Sequence, residues 1–158
     1  MNIKGKFVTL RAIEREDLEL MIEMLNDPEI ESLVTGWAFP ISKYQQEQWY
    51  EKNINDENNF RFIIETEADG VLGIATLTNI DWKNRRAMHG MKLANKEKRK
   101  KGIGTDTVMA IMKYAFDELQ LNRLDGSWFD DNIASKSLYL PFLYMQDLSL
   151  PSTFHPHF

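Results

Sequence analysis

Five of the six residues from Lys96 to Lys101 are basic, in a chain whose formal net charge is -5. Gly102-Ile103-Gly104 follows, and then a stretch from Thr105 to Leu119. Its Val108, Ile111, Met112, Ala115, Phe116 and Leu119 form a continuous apolar stripe at helical spacing. Before the basic run, Arg86 to Ala94 reads as a strand, and beyond the helix Leu121 to Phe129 reads as another. A helix with one apolar stripe must pack on a sheet, so strand, loop, helix and strand form a right-handed parallel crossover. Ligands favour the crevice where such strands separate at their carboxyl ends, and the basic loop lies there. A helix N-terminus offers unpaired N–H groups and the positive end of the helix dipole. Glycines let a ligand approach the backbone closely. The stretch therefore reads as a cradle for anionic phosphate. It is not a P-loop, since no Lys-Ser or Lys-Thr follows Gly104. It is not a dinucleotide fingerprint either, since Thr107 stands near where a third glycine is required.

Upstream, Lys6 to Ala12 reads as a first strand and Glu14 to Leu25 as a helix ended by Asn26-Asp27-Pro28. Glu29 to Ile41 reads as a loop. Ser42 and Gln45 fit a capping box for a helix reaching about Asn53. Phe60 to Thr66 and Val71 to Asn79 read as strands joined through Ala68-Asp69-Gly70, and Asp81 to Asn84 turns the chain into Arg86 to Ala94. The expected fold class is α+β, a three-layer α/β/α arrangement with a mixed, mostly antiparallel sheet flanked by helices.

Arg99, Gly102 and Gly104 stand in the order R-x-x-G-x-G. This resembles the acetyl-CoA pyrophosphate loop of the GNAT N-acetyltransferase superfamily. The opening Leu10-Arg11, Asp17-Leu18 and Asn26-Asp27-Pro28-Glu29 resembles the branch with ribosomal-protein-alanine and spermidine N-acetyltransferases. Asn132, Ser135 and Tyr139, as N-x-x-S-x-x-x-Y, resemble the family's second signature. The resemblance implies an acetyl-CoA-dependent N-acetyltransferase acting on a primary amine, either a peptide N-terminus or a small polyamine, by direct transfer in a ternary complex. It implies that Arg99, Lys100, Lys101, Gly102, Ile103, Gly104 and Thr105 hold the phosphates, and that the backbone of Leu93 and Ala94 pairs with the pantetheine arm. Asn132 reaches that arm, caps its helix, or does both. Lys136 touches the ribose phosphate or is a solvated surface lysine.

Tyr139 is the candidate acid for the departing thiolate, since a phenol of pKa about 10 can protonate a thiolate of about 8.5. His89 stands where this branch often carries a glutamate. It is a candidate base, with a half-buried strand residue as the equal alternative. Glu65 and Asp81 are weaker candidates for holding a cationic amine. Trp37, Phe39, Trp49 and Tyr50 line an acceptor pocket or belong to the core. No metal is implied, because His155-x-His157 lacks a third ligand.

The length of 158 residues suits one domain, read as 1–141 with an atypical tail at 142–158. The absence of cysteine and of any apolar run of about 18 residues points to a cytoplasmic protein with no membrane contact. It also argues against a thiol-borne acetyl intermediate. The acidic balance argues against nucleic acid as a partner. After Tyr139 the family's pattern is lost, and Pro141 is expected to end the helix. The usual last two strands are missing. Phe142 to Leu150 or a second subunit is expected to cover the exposed sheet edge, so a homodimer is a candidate state. The altered end also leaves an alternative function: a CoA-binding module with impaired or lost catalysis.

Overall fold

The computed structural model describes residues 1–33, 39–94, 102–127, 132–144 and 153–157, with 127, 141–144 and 153–157 described by their backbone. The strands are β1 (Ile3–Lys4), β2 (Val8–Arg11), β3 (Phe60–Thr66), β4 (Gly70–Asp81), β5 (Arg86–Leu93), β6 (Arg123–Ser127) and β7 (Thr153–His157). They form one sheet in that order. Neighbours from β1 to β5 are antiparallel; β5–β6 and β6–β7 are parallel. The helices are α1 (Leu18–Asn26), α2 (Pro28–Glu31), α3 (Lys43–Asn53), α4 (Ile103–Lys113) and α5 (Ile133–Tyr144). The mixed, mostly antiparallel sheet flanked by helices is the fold class expected.

One sheet face and α4 share a core. Val8, Leu10, Ile64, Leu77 and Leu124 from the sheet meet Val108 and Ile111 from the helix, all essentially inaccessible to water. The other face turns Arg61, Ile74, Thr76, Gly90 and Lys92 toward α1 and α3. They share that face because they pair directly across neighbouring strands. Arg11 ties the first strands to the first helix. Its guanidinium grips both oxygens of Asp17, at 2.7 and 2.9 Å, and its Nε reaches Glu65 at 2.7 Å. Burial works to raise the pKa of Asp17. The Arg11 guanidinium and the Glu14 N–H outweigh it and hold the carboxyl below its usual value.

Three local differences have physical causes. The segment expected as a loop after Asp27 contains the single-turn α2, with Asp27 Oδ1 accepting from the Glu29 N–H and Pro28 at its first position. Helix α4 starts earlier than expected, at Ile103, and continues past Lys113 into a wider π-helical turn over Tyr114–Glu118. Helix α5 passes through Pro141 to Tyr144 instead of ending there. Proline forfeits its own N–H bond but keeps a helical φ, so the backbone continues. Among the described residues, the segment that joins the sheet beyond α5 is Thr153–His157; of the stretch expected to cover the edge, Phe142–Tyr144 belongs to α5 and 145–150 lie outside the described residues. Thr153–His157 adds one strand where none was expected. Pro156 is tolerated because β7 is the last strand in the sheet.

Among the described residues no helix is long and apolar enough to cross a membrane.

Candidate active site

Strands β5 and β6 pair only where Arg86–Met88 faces Arg123–Asp125. Beyond Met88 they separate, and a cavity of about 340 Å³ opens in the gap. Its lining includes Leu93, Gly102, Gly104, Thr105, Asn132 and Ser137. Gly102 caps α4 with φ 77°, a left-handed conformation that glycine adopts without strain. A Cβ on Gly104 would stand 3.3 Å from the Met91 methyl, so the bare backbone keeps this wall thin. Asn132 is buried and fixed at both ends of its amide. Oδ1 accepts from the Ser135 N–H at 3.1 Å, capping α5, and Nδ2 donates to the Leu33 carbonyl at 3.0 Å. The structure thus brings Leu93, Gly102, Gly104, Thr105 and Asn132 to one cavity. It turns Ile103 into the core instead. The Ala94 N–H is spent on the Leu72 carbonyl at 2.8 Å, and Ala94 and Lys136 do not line the cavity. Arg99, Lys100 and Lys101 lie outside the described residues.

A second cavity, of about 680 Å³, lies between the other sheet face and helices α1 and α3. Ile74, Thr76, Thr78 and Gly90 floor it, Met21 and Met24 wall one side, and Gln46 and Trp49 wall the other. Leu33, Met91, Lys92 and Ser135 line both cavities, so the two spaces adjoin. His89 and Tyr139 line the larger one. Tyr139 stands one helical turn beyond the shared Ser135.

The His89 ring lies edge-on to that of Tyr139, with centroids 5.9 Å apart and planes at 74°. Its Nδ1 is 3.1 Å from the Thr76 carbonyl oxygen. A carbonyl only accepts, so Nδ1 carries the hydrogen and Nε2 carries the lone pair. Nε2 is buried and has no hydrogen-bond partner among the described residues. Burial pushes the imidazolium pKa down to about 4, against a smaller upward pull from the Thr76 carbonyl. His89 is therefore neutral across the physiological range, a weaker base than its ordinary value of about 6.5 implies. Burial pushes the Tyr139 phenol well above its ordinary value, so it stays protonated.

Several residues in the larger cavity were not singled out beforehand. Gln46 is buried on α3, Arg61 rises from β3, and Lys92 from β5 pairs with Glu31. The signal for Arg61 was a lone cation between Phe60 and Phe62 in the apolar first part of β3. Glu65 and Asp81 do not line this cavity. Glu65 is held by Arg11, and Asp81 by Asn84 and Arg86. Trp49 lines it; Phe39 is exposed, Tyr50 lines a separate hollow, and Trp37 lies outside the described residues. Among the described residues no three His, Asp or Glu stand together as metal ligands.

A family profile described as an acetyltransferase (GNAT) domain matches residues 8–140. The chain belongs to the GNAT acetyltransferase family. An uncharacterized N-acetyltransferase, p20, from Bacillus licheniformis is 29% identical over 83% of this chain and 75% of its own length. A spermidine N(1)-acetyltransferase from Vibrio cholerae is 28% identical over 74% of this chain and 66% of its own. The crystal structure of spermidine N-acetyltransferase from Vibrio cholerae with CoA and spermine superposes with a TM-score of 0.79. It is 26% identical, covering 85% of this chain and 79% of the other.

As a GNAT protein the chain is an N-acetyltransferase, and acetyl-CoA is the family's donor. The smaller cavity suits that donor. It offers a glycine-bearing helix N-terminus to an anionic end and a separated strand edge to an amide-bearing arm.

Proposed function

We propose that this protein transfers the acetyl group of acetyl-CoA directly to a primary amine. The observation that carries the reading is the junction of two cavities, one at the glycine loop and one against α1 and α3, beside His89 and Tyr139. Acetyl-CoA occupies the smaller cavity, with its phosphates on residues 99–105 and its thioester near Tyr139. The amine enters the larger one. Holding both reactants in adjoining spaces removes the entropic cost of their encounter.

The amine nitrogen attacks the thioester carbon, the C–S bond breaks, and the amide forms. The attacking nitrogen must shed a proton. The His89 Nε2 lone pair, neutral in its dry site, receives it as the nitrogen becomes acidic during attack. The thiolate leaves with a hydrogen bond from the Tyr139 hydroxyl, and a proton passes from that hydroxyl to sulphur. Solvent carries the His89 proton away and restores the phenol. The acceptor class is a primary amine on a peptide N-terminus or a polyamine-like small molecule. The relatives named for spermidine support an amine of some kind. The same reading extends to a cytoplasmic protein that pairs with a second copy along the sheet edge beyond β7, which sedimentation would check.

Release of CoA measured over a panel of amines, including spermidine and peptides with N-terminal Ala or Ser, tests the transfer. Tyr139→Phe is expected to lower kcat on the order of 10²-fold while leaving the amine KM within a few-fold. An acetyl-enzyme trapped by rapid quench would overturn direct transfer. The altered C-terminus motivates the alternative of a CoA-binding module. Tight CoA binding without turnover on any amine, and no effect of Tyr139→Phe, would favour it.

A further inference from the structure

The larger cavity has the wrong charge for a polycation. None of its described lining residues is an aspartate or glutamate, whereas Arg61 and Lys92 are cations. Lys92 is neutralised by Glu31. Arg61 is not. Its guanidinium lies over the Trp49 ring at 5.1 Å, and Nη1 donates to the Asn59 carbonyl at 3.2 Å. Among the described residues it forms no ion pair. A guanidinium has five N–H donors, so most of this fork is unspent. Asp56 acts on it only from a distance, its own carboxylate being taken by the Asn58 N–H and the Asn59 amide, each at 2.9 Å. Partial burial lowers the Arg61 pKa against a smaller upward pull from the Asp56 carboxylate, which makes no direct ion pair with it. Stacking on Trp49 accounts for the position of the side chain. It does not account for keeping there a charge that has no direct ion-pair partner among the described residues.

We infer that the acceptor is an amine that also bears a carboxylate, which Arg61 anchors, and that polyamines are poor substrates. The inference rests on the acetyl-transfer reading for the amine and on the cavity itself for the carboxylate. A planar guanidinium binds a carboxylate with two parallel hydrogen bonds, and a half-dry site strengthens them. A second ammonium in the same place would face a like charge.

Register sets the length. Arg61 pairs across to Thr76, and Thr76 to Gly90, two strand spacings of about 4.8 Å each, and the path ends on β5, the strand that borders both cavities. The amine and the carboxylate are therefore several bonds apart, as in an ω-amino acid or a peptide N-terminus followed by an acidic side chain.

Calorimetric titration of the full chain with hexanoate and with hexylamine tests the anchor without any turnover. Wild type is expected to bind hexanoate more tightly than hexylamine. Arg61→Ala is expected to weaken hexanoate at least about tenfold, and Arg61→Glu to reverse the preference. Arg61→Lys keeps the charge but loses the fork; it should fall between wild type and Arg61→Ala, and it serves as the test if Arg61→Ala does not fold. Hexylamine binding wild type as tightly as hexanoate, or hexanoate affinity indifferent to Arg61, overturns the inference. In the CoA-release assay 6-aminohexanoate should outperform spermidine in wild type. Should no amine be acetylated while hexanoate still depends on Arg61, the transfer reading fails and the anchor stands.

Discussion

A histidine with one nitrogen bonded to a carbonyl and the other dry is stable there only while neutral. In the unfolded chain the His89 imidazole takes up a proton near its ordinary value of about 6.5, and in the fold only near 4. Between those values the unfolded chain binds more protons. The stability that neutral His89 contributes is therefore complete above about pH 6.5 and is lost as pH falls toward 4. At about 1.4 kcal/mol per pKa unit, roughly 2 kcal/mol should be gone by pH 5. Urea unfolding at pH 7 and pH 5 should show that loss in wild type and not in His89→Gln. An equal loss in both would place the titration elsewhere. The position of His89 was legible, as the only histidine in the part of the chain that reads as folded. Its protonation state was not. That is set by burial, which outweighs the pull of the Thr76 carbonyl and which only the folded sheet and α5 provide. Arg61 hid for the same reason, since register across β3, β4 and β5 decides which face an arginine shares and with what.

Elements bounded by strong local chemistry were read closely. Strand β3 matches its β-branched and aromatic run, and α3 begins at the Ser42–Gln45 capping box, with both reciprocal bonds made. Boundaries that depend on distant partners were not legible. The start of α4 is the clearest instance. Asp106 in its first turn accepts three backbone N–H groups from the β1–β2 connection, those of Lys6, Phe7 and Val8, at 2.7, 2.6 and 2.9 Å. One carboxylate thus fastens the first hairpin to the helix that bears the glycine loop. In Asp106→Ala the two outer N–H groups can turn to water, whereas that of buried Val8 cannot. A loss of about 2 kcal/mol is expected in chemical denaturation. Asp106→Asn, which still accepts through one oxygen, should recover part of it. An unchanged midpoint in Asp106→Ala would mean the hairpin is held by its own pairing. Loosening this joint should also weaken CoA binding, measured by titration, because Gly102 and Gly104 ride on the same helix.

At the level of the whole molecule, the β6 edge decides what the unusual tail does. Leu124 on β6 is completely buried, and β6 pairs with β5 over three residues only. Strand β7 pairs with all five residues from Arg123 to Ser127. It supplies most of the backbone partners that β6 has, at the place where β5 has diverged to open the cleft proposed for acetyl-CoA. The layered fold and the crossover around the glycine loop were legible because they follow from pattern and connectivity. This closing strand was not, since Thr153–His157 contains a proline and lacks alternation, and it gains strand structure only from the edge it covers. Ending the chain after Tyr144 strips that edge, leaving β6 with unpaired donors and acceptors that another chain can meet. The truncated protein is expected to lose a few kcal/mol in urea unfolding and to form larger assemblies than the full chain as concentration rises in light scattering. The pairing of β5 with β4 does not involve the tail, so the shortened chain should keep the strand content of β1 to β5 by circular dichroism. Undiminished stability together with assemblies no larger than those of the full chain would show that β7 does not protect the sheet.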